Sequence, residues 1–457
     1  MLLGLGIFPI LLKFGMYLGA IVAAILAITW KPRIGLYFLV PFLPLQTTRY
    51  KIHEFPGGDK LVLVLLLSVI IGLLIKGKPV IPRRFPLKYT IFLFSGFTFC
   101  TLWLGSIQQD LPIPLHFDDI RLQEWLNYLL MPLIYMLTVS ALENEKQIRL
   151  LLLLMCFSLV VVTRSFGLSM AGRDLSSFSE SKRDAGPLGF AGENGLGAFE
   201  AQMSLFLLGL FAYEKRFRAK IIMMLLLVGN MYCLLFAFSR GAYLAFAMGL
   251  LVLGLLKERK YIVLLIVLAV GYQTIIPKSV QERVAMTVDQ SGNLESSAGD
   301  RVSIWQDAFL LIQESPIIGS GFATYQFMSR VRLYKDTHNM YLKILVENGV
   351  IGIGLFLSML IGLLGLGYRT FRNNTDPFVK SLGLGLAAMM TGVLVVNLFG
   401  DRWSYLQVNG VLWTLVGCVV RGNELAQDAA WEDAQHQEMA LESGQELDGI
   451  PESMVRA

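Results

Sequence analysis

Charge is what this sequence has least of. Only 16% of its 457 residues are Asp, Glu, Lys or Arg, against 55% hydrophobic, whereas a soluble domain carries about a quarter charged residues. Uninterrupted apolar runs reach the ~18–20 residues a helix needs to cross hydrocarbon, and a soluble globular fold is excluded. Cysteine is scarce as well. Cys100, Cys156, Cys233 and Cys418 all fall inside apolar runs, without CxxC spacing or a neighbouring histidine; they read as small packing residues, not as a disulfide framework or zinc site. No Walker or Rossmann glycine pattern and no solenoid repeat is present, so a nucleotide cofactor is not expected. The formal net charge of +5 is scattered through short connectors, where a nucleic-acid binder would gather it on one domain.

What is there is helix-length apolar sequence, repeated. Thirteen candidate runs extend from about 7–29 to about 404–420, and the fold class expected is all-α: a polytopic transmembrane bundle of about 12–13 spans. The first run lacks a basic segment before it and a small-residue cleavage site after it, and reads as a retained span. Basic residues mark alternate connectors: Lys31 and Arg33; Lys76 to Lys88; Lys146 to Arg149; Glu214 to Lys220; Lys257 to Lys260; Arg369 to Lys380. The excess of Lys and Arg assigns these six to the cytoplasm. The intervening connectors then face outward, among them Ser106 to Glu124 with Asp110, Asp118 and Asp119.

Two outward connectors are long, 169–193 and 277–339, and connectors of that length usually carry a function. In the second, Val302, Trp305, Phe309 and Ile312 recur at helical spacing, predicting an amphipathic helix opened by Asp300 as N-cap. The tail from Arg421 onward holds nine acidic and two basic residues, Arg421 and Arg456, which suits a solvated, flexible or loosely helical cytoplasmic extension. Three regions are expected: transmembrane helices over 1–168, a core over 169–420 that includes the loop 277–339, and the tail 421–457.

Four outward features can carry chemistry. Arg240 follows Ser239 in an abrupt reversal that Gly241 permits; it either anchors the interface or grips a lipid-linked phosphate. Arg301, placed in the first turn of the amphipathic helix, combines with free amides to suit an anion, or is simply solvated. His338, one of only four histidines, sits where the long loop re-enters the membrane and can accept a hydroxyl proton near neutral pH, or serve structurally. Asn194 closes a glycine-rich stretch, capping the next span or bonding a sugar hydroxyl. No Asp-x-Asp or His/Glu grouping on this face has ligand spacing, so metal dependence is disfavoured.

These stretches resemble the O-antigen ligase and polymerase family of bacterial membrane glycan transferases. The matching pieces are the glycine-rich run to Asn194, Ser239-Arg240-Gly241, Arg301 with Trp305, His338-Asn339 with Tyr341-Leu342, and Glu347-x-Gly349, within roughly 165–420. The resemblance implies a glycan donor on isoprenoid (undecaprenyl) pyrophosphate and a hydroxyl acceptor on lipid, glycan or protein. It implies that Arg240 and Arg301 bind the pyrophosphate and that His338 orients or deprotonates the acceptor in a single inverting displacement. Asn194, Trp305, Asn339 and Tyr341 become substrate-binding candidates. It further implies no cofactor, no metal, and a bacterial inner-membrane location with a periplasmic site. A transporter or flippase of lipid-linked oligosaccharide is the alternative, disfavoured because the spans look nearly free of mid-depth charge apart from Lys13; a structural scaffold is the third.

Overall fold

A computed structural model describes residues 3–286, 296–328 and 336–442, and within them every regular element is a helix. The fold opens with α1 (Leu3–Thr29), α2 (Arg33–Phe42), α3 (Leu61–Ile75), α4 (Lys88–Gln108), α5 (Ile120–Ala141) and α6 (Glu145–Met170). It continues with α7 (Gly192–Phe211), α8 (Phe217–Phe236), α9 (Arg240–Leu256), α10 (Lys260–Val270) and the short α11 (Lys278–Ala285). The last four are α12 (Ser296–Glu314), α13 (Met340–Asn373), α14 (Pro377–Val396) and α15 (Leu406–Glu442). Each expected apolar run is helical. Among the described residues, six helical segments are long and apolar enough to cross a membrane: Gly58–Ile75, α4, α6, α8, α13 and Pro377–Phe399. The protein is a polytopic helical bundle.

α14 is the central post, with 72% of its most apolar window buried against 28% for α8. Glycines let its neighbours come close. A Cβ on Gly209 of α7 would collide with Gly385, and one on Gly367 of α13 would meet the Ala387 nitrogen at 2.7 Å; such small-residue seams replace the hydrophobic drive that lipid removes.

The six basic connectors share one end. Arg33 (2.6 Å) and Lys78 both pair with Glu143, Arg421 donates to the Leu142 carbonyl at 2.8 Å, and Arg149 stacks on Phe378 at 3.8 Å. The Lys78 ammonium above all, with Gln147 and Arg33, holds the Glu143 carboxyl down to about 2 against the opposing effect of burial. The tail begins here. It is not loose: α15 runs unbroken to Glu442, its first polar turns tied by Arg421–Glu424 (2.9 Å) and Arg84–Gln427 (2.9 Å). Residues 443–457 lie outside the described part.

The opposite end is irregular and interlocked. Gln46 accepts from the Phe190 nitrogen (2.8 Å) and from Gln407 (2.9 Å), joining three connectors. Arg121, only 3% exposed, clamps Asp119 (2.7 Å) and Ser106 (2.9 Å). α13 is broken at Gly349, whose φ of +60° and ψ of −163° leave the helix. The connector after α12 fills the gap: Ser320 donates to the Val346 carbonyl (2.9 Å), Gly321 to Glu347 (2.8 Å), and Val350 to Pro316 (2.9 Å). Gly321 in turn lies directly on Gly105 of α4. Backbone leaves a helix at membrane depth only where protein satisfies it, and here the inserted loop does so.

Two expectations about the amphipathic helix are corrected. It starts at Ser296, so Asp300 lies inside it and is not its N-cap, and Arg301 falls in the second turn, away from the free amides. Its buried seam is Ile304, Ala308 and Leu311 with Trp305 and Ile312 at the edge, while Val302 and Phe309 are exposed. The stripe is rotated because the helix packs on Tyr325, Leu342 and Val346 and does not lie alone on a lipid surface.

Candidate functional site

The site is built around the start of α13. Asn339 is the N-cap of that helix, its side chain accepting from the Tyr341 (3.0 Å) and Leu342 (3.2 Å) nitrogens. Ahead of it the chain turns sharply, and His338 adopts a left-handed φ of +52°. A non-glycine residue seldom takes that conformation, and such strain gathers at functional positions. Asp336 fixes it from below: its carboxylate accepts from the His338 backbone nitrogen (3.2 Å), and its other oxygen lies 3.4 Å from Nδ1. From above, the Trp305 indole of α12 donates to the Thr337 carbonyl at 3.0 Å.

Electrostatics keep this imidazole basic but uncharged. Burial is the largest influence lowering its pKa below the ordinary value, and the positive charges of Arg301 and Arg402 push the same way, with Asp336 opposing them. A neutral histidine at neutral pH can accept a proton. Arg402 is a residue the sequence did not single out. It follows Gly400, whose φ of +146° turns the chain so that Arg402's guanidinium packs over it.

Beside Asp336 opens a cavity of about 470 Å³, with Gln46, Asn127, Tyr325, Lys343, Glu347 and Asp401 in its wall. Lys343 is its hub, 2.7 Å from Glu124 and 3.2 Å from Asp401. Burial raises the Asp401 pKa, but Lys343 and the hydrogen bonds from Ser404 outweigh it and hold the carboxyl below the ordinary value. One turn further along α13, Glu347 accepts from the Tyr325 nitrogen at 3.2 Å. Burial and the charges of Asp307, Asp336 and Glu347 push the Tyr325 phenol up to about 12, so it stays a hydrogen-bond donor.

Residues 222–357 match the family model described as O-antigen ligase. The chain carries an O-antigen ligase domain. That match, over 136 of the 457 residues, supports a membrane glycosyltransferase of the O-antigen ligase type. A comparison with curated proteins gives no match. The domain spans from the second turn of α8 into α13, so Arg240, Arg301, His338, Lys343 and Glu347 lie within it. Glu124, Asp401 and Arg402 reach the same site from outside the O-antigen ligase domain.

Not every expected residue joins the site in the role foreseen. Arg301 and His338 come together. Arg240 begins α9 at the same end, next to Gly241, on which a Cβ would lie 2.8 Å from that of Phe399. Asn194 does not cap α7; its side chain accepts from Arg183 at 2.9 Å. Tyr341 gives its hydroxyl to the Leu394 carbonyl (2.7 Å), and Asn339 is committed to its cap. Trp305 positions the histidine loop. Lys343 and Glu347, spaced i, i+4 on one helical face, were a readable signal, because charged residues rarely share a face of an apolar helix. The reading of uncharged spans also needs correction. Glu200, fully buried in α7, faces Asn230 of α8, whose amide nitrogen, oriented toward it, donates to Oε2 at 3.2 Å.

Proposed function

We propose that the protein transfers a glycan from an isoprenoid pyrophosphate to an acceptor hydroxyl in one inverting, metal-independent displacement. The observation carrying this is the convergence of Arg301, Arg402 and a neutral, strained His338 beside a polar cavity, within and around an O-antigen ligase domain. The guanidiniums suit pyrophosphate oxygens and the charge that grows on them as the glycosidic bond breaks. Arg240 supplies further positive charge at the same end. His338 takes the proton from the acceptor hydroxyl as its oxygen attacks the anomeric carbon. The charge bias of the basic connectors supports a cytoplasmic opposite end, and with it a site facing the periplasm of a bacterial inner membrane and a cytoplasmic α15 extension. Lipid-core, polysaccharide and protein hydroxyls are all within this chemistry.

The test is purified protein with an isoprenoid pyrophosphate glycan, candidate acceptors and EDTA, following release of isoprenoid pyrophosphate and the anomeric configuration of the product. Retained configuration, or full turnover by His338→Ala, would sink the mechanism. Transport is the second reading, favoured by Glu200 alone: an ionisable group buried in a span is commonly functional. Unimpaired transfer by Glu200→Gln in detergent, with no loss of glycan assembly in cells, removes it.

A further inference from the structure

We infer that the cavity next to His338 is a saccharide subsite that admits an uncharged or amino-bearing sugar ring and turns away an acidic one. The inference deepens the transferase reading and rests on it for the origin of the sugar. Its volume of about 470 Å³ is in the range of ligand cavities, about 300–1,000 Å³. The wall has the composition a sugar needs. The amides of Gln46, Asn127 and Gln326 both donate and accept, as ring hydroxyls do, and Phe190 at the mouth is 76% exposed, free to stack on a C–H face.

Charge selects among sugars. Three carboxylates, Glu124, Asp336 and Asp401, and the buried carboxyl of Glu347 line the wall, against two cations, Lys343 and Arg49. Lys343 is already engaged by Glu124 and Asp401. Arg49 is held by donating to the Leu43 carbonyl at 3.0 Å. An anion entering here meets surplus carboxylate, so the pyrophosphate belongs outside the wall, with Arg301 and Arg402 near His338, and the neutral part of the substrate with the cavity.

An independent observation points to a ligand. Glu347 is 1% exposed and belongs to the cavity wall, yet its Oε2 has no hydrogen-bond partner among the described residues. Oε1 is occupied by the Tyr325 nitrogen, which fixes the carboxyl and leaves the second oxygen available. A buried acceptor in a polar cavity is completed by a donor from outside the fold, and a sugar hydroxyl or ammonium is such a donor.

The experiment uses the full-length protein in phospholipid nanodiscs and reads saturation-transfer NMR on three probes: N,N′-diacetylchitobiose, its de-N-acetylated diamine, and a glucuronic-acid disaccharide. The first two should receive saturation and the third should not. Asn127→Trp, which fills the cavity, should abolish the signal, and the milder Glu347→Gln should weaken it; both are checked for unchanged thermal unfolding. Equal saturation of the acidic probe, or signals that survive both substitutions, overturns the subsite. Turnover then locates the sugar. In Glu347→Gln a rise of roughly tenfold in KM for the donor, with unchanged inhibition by bare isoprenoid pyrophosphate, assigns the cavity to donor sugar. The same rise in KM for the acceptor assigns it to acceptor sugar. Saccharide binding without transfer by the wild type would overturn the transferase reading and leave the subsite standing. Transfer with both KM values unmoved and no saturation would do the reverse.

Discussion

The two ends of this bundle solve the same problem, reversing a chain at a membrane surface, in opposite ways. At the basic end the helices close through short connectors, and the charges meet in exposed pairs around Glu143. At the other end His338 and Phe238 hold left-handed backbone, α13 breaks at Gly349, Asp401 and Arg121 are buried with their partners, and Lys343 is largely covered. Burying charge and straining backbone both oppose stability. Of the five non-glycine residues with left-handed backbone among the described residues, four lie at this end and only Leu87 at the basic one, and that imbalance is what a site built for chemistry would leave.

If the contrast is real, substitutions at the irregular end should cost activity far more than those at the basic end. The largest effects are expected from His338→Ala and Arg301→Ala, with kcat falling about 10²–10⁴-fold in a release assay, the range for losing a general base or an oxyanion-stabilising donor. Equal loss from a basic-end substitution such as Arg33→Ala would break the comparison. Next comes Lys343→Met, which strands Glu124 and Asp401. Removing one member of a buried ion network costs about 3–5 kcal/mol, to be read from unfolding in detergent, and adding Asp401→Asn should recover part of it.

A subtler effect separates charge from structure. Because His338 titrates below its ordinary value, the wild type should already be on its activity plateau at neutral pH and lose activity only as acid protonates the imidazole. Arg402→Gln relieves the repulsion and should move that acid limb to higher pH, while Asp336→Asn should move it lower, each by up to about one unit. Shifts in the same direction would refute the electrostatic assignment. The smallest effect belongs to the basic end. Glu143→Gln should cost about 1 kcal/mol or less, as exposed pairs do, with turnover intact. Its folded pKa lies below its ordinary value of 4.5, at about 2, so its contribution is present above 4.5 and fades as pH falls toward 2; the substitution should remove that portion of the acid sensitivity of unfolding.

The bundle itself was legible because membrane helices announce themselves by local composition, and each apolar run found its helix. His338 and Arg301 stood out by their place in the long connector 277–339, and the fold brings the two together. Arg402, Glu124 and Asp401 were not. They meet Lys343 and His338 from connectors and helices more than fifty residues away in sequence, and no local pattern encodes that meeting. Asn339 and Tyr341, expected as substrate contacts, spend polar groups on backbone here: the Asn339 side chain caps α13 and the Tyr341 hydroxyl donates to the Leu394 carbonyl. Asn before the first turn of a helix is an N-cap signal, and the structure uses it so.

The bond from the Trp305 indole to the Thr337 carbonyl ties the His338 turn to the amphipathic helix as a hand is tied to a forearm. α12 cannot swing away from the rest of the bundle and leave His338 where it was without giving up that bond. Whatever pulls on the exposed face of α12 therefore pulls on the position of His338 as well.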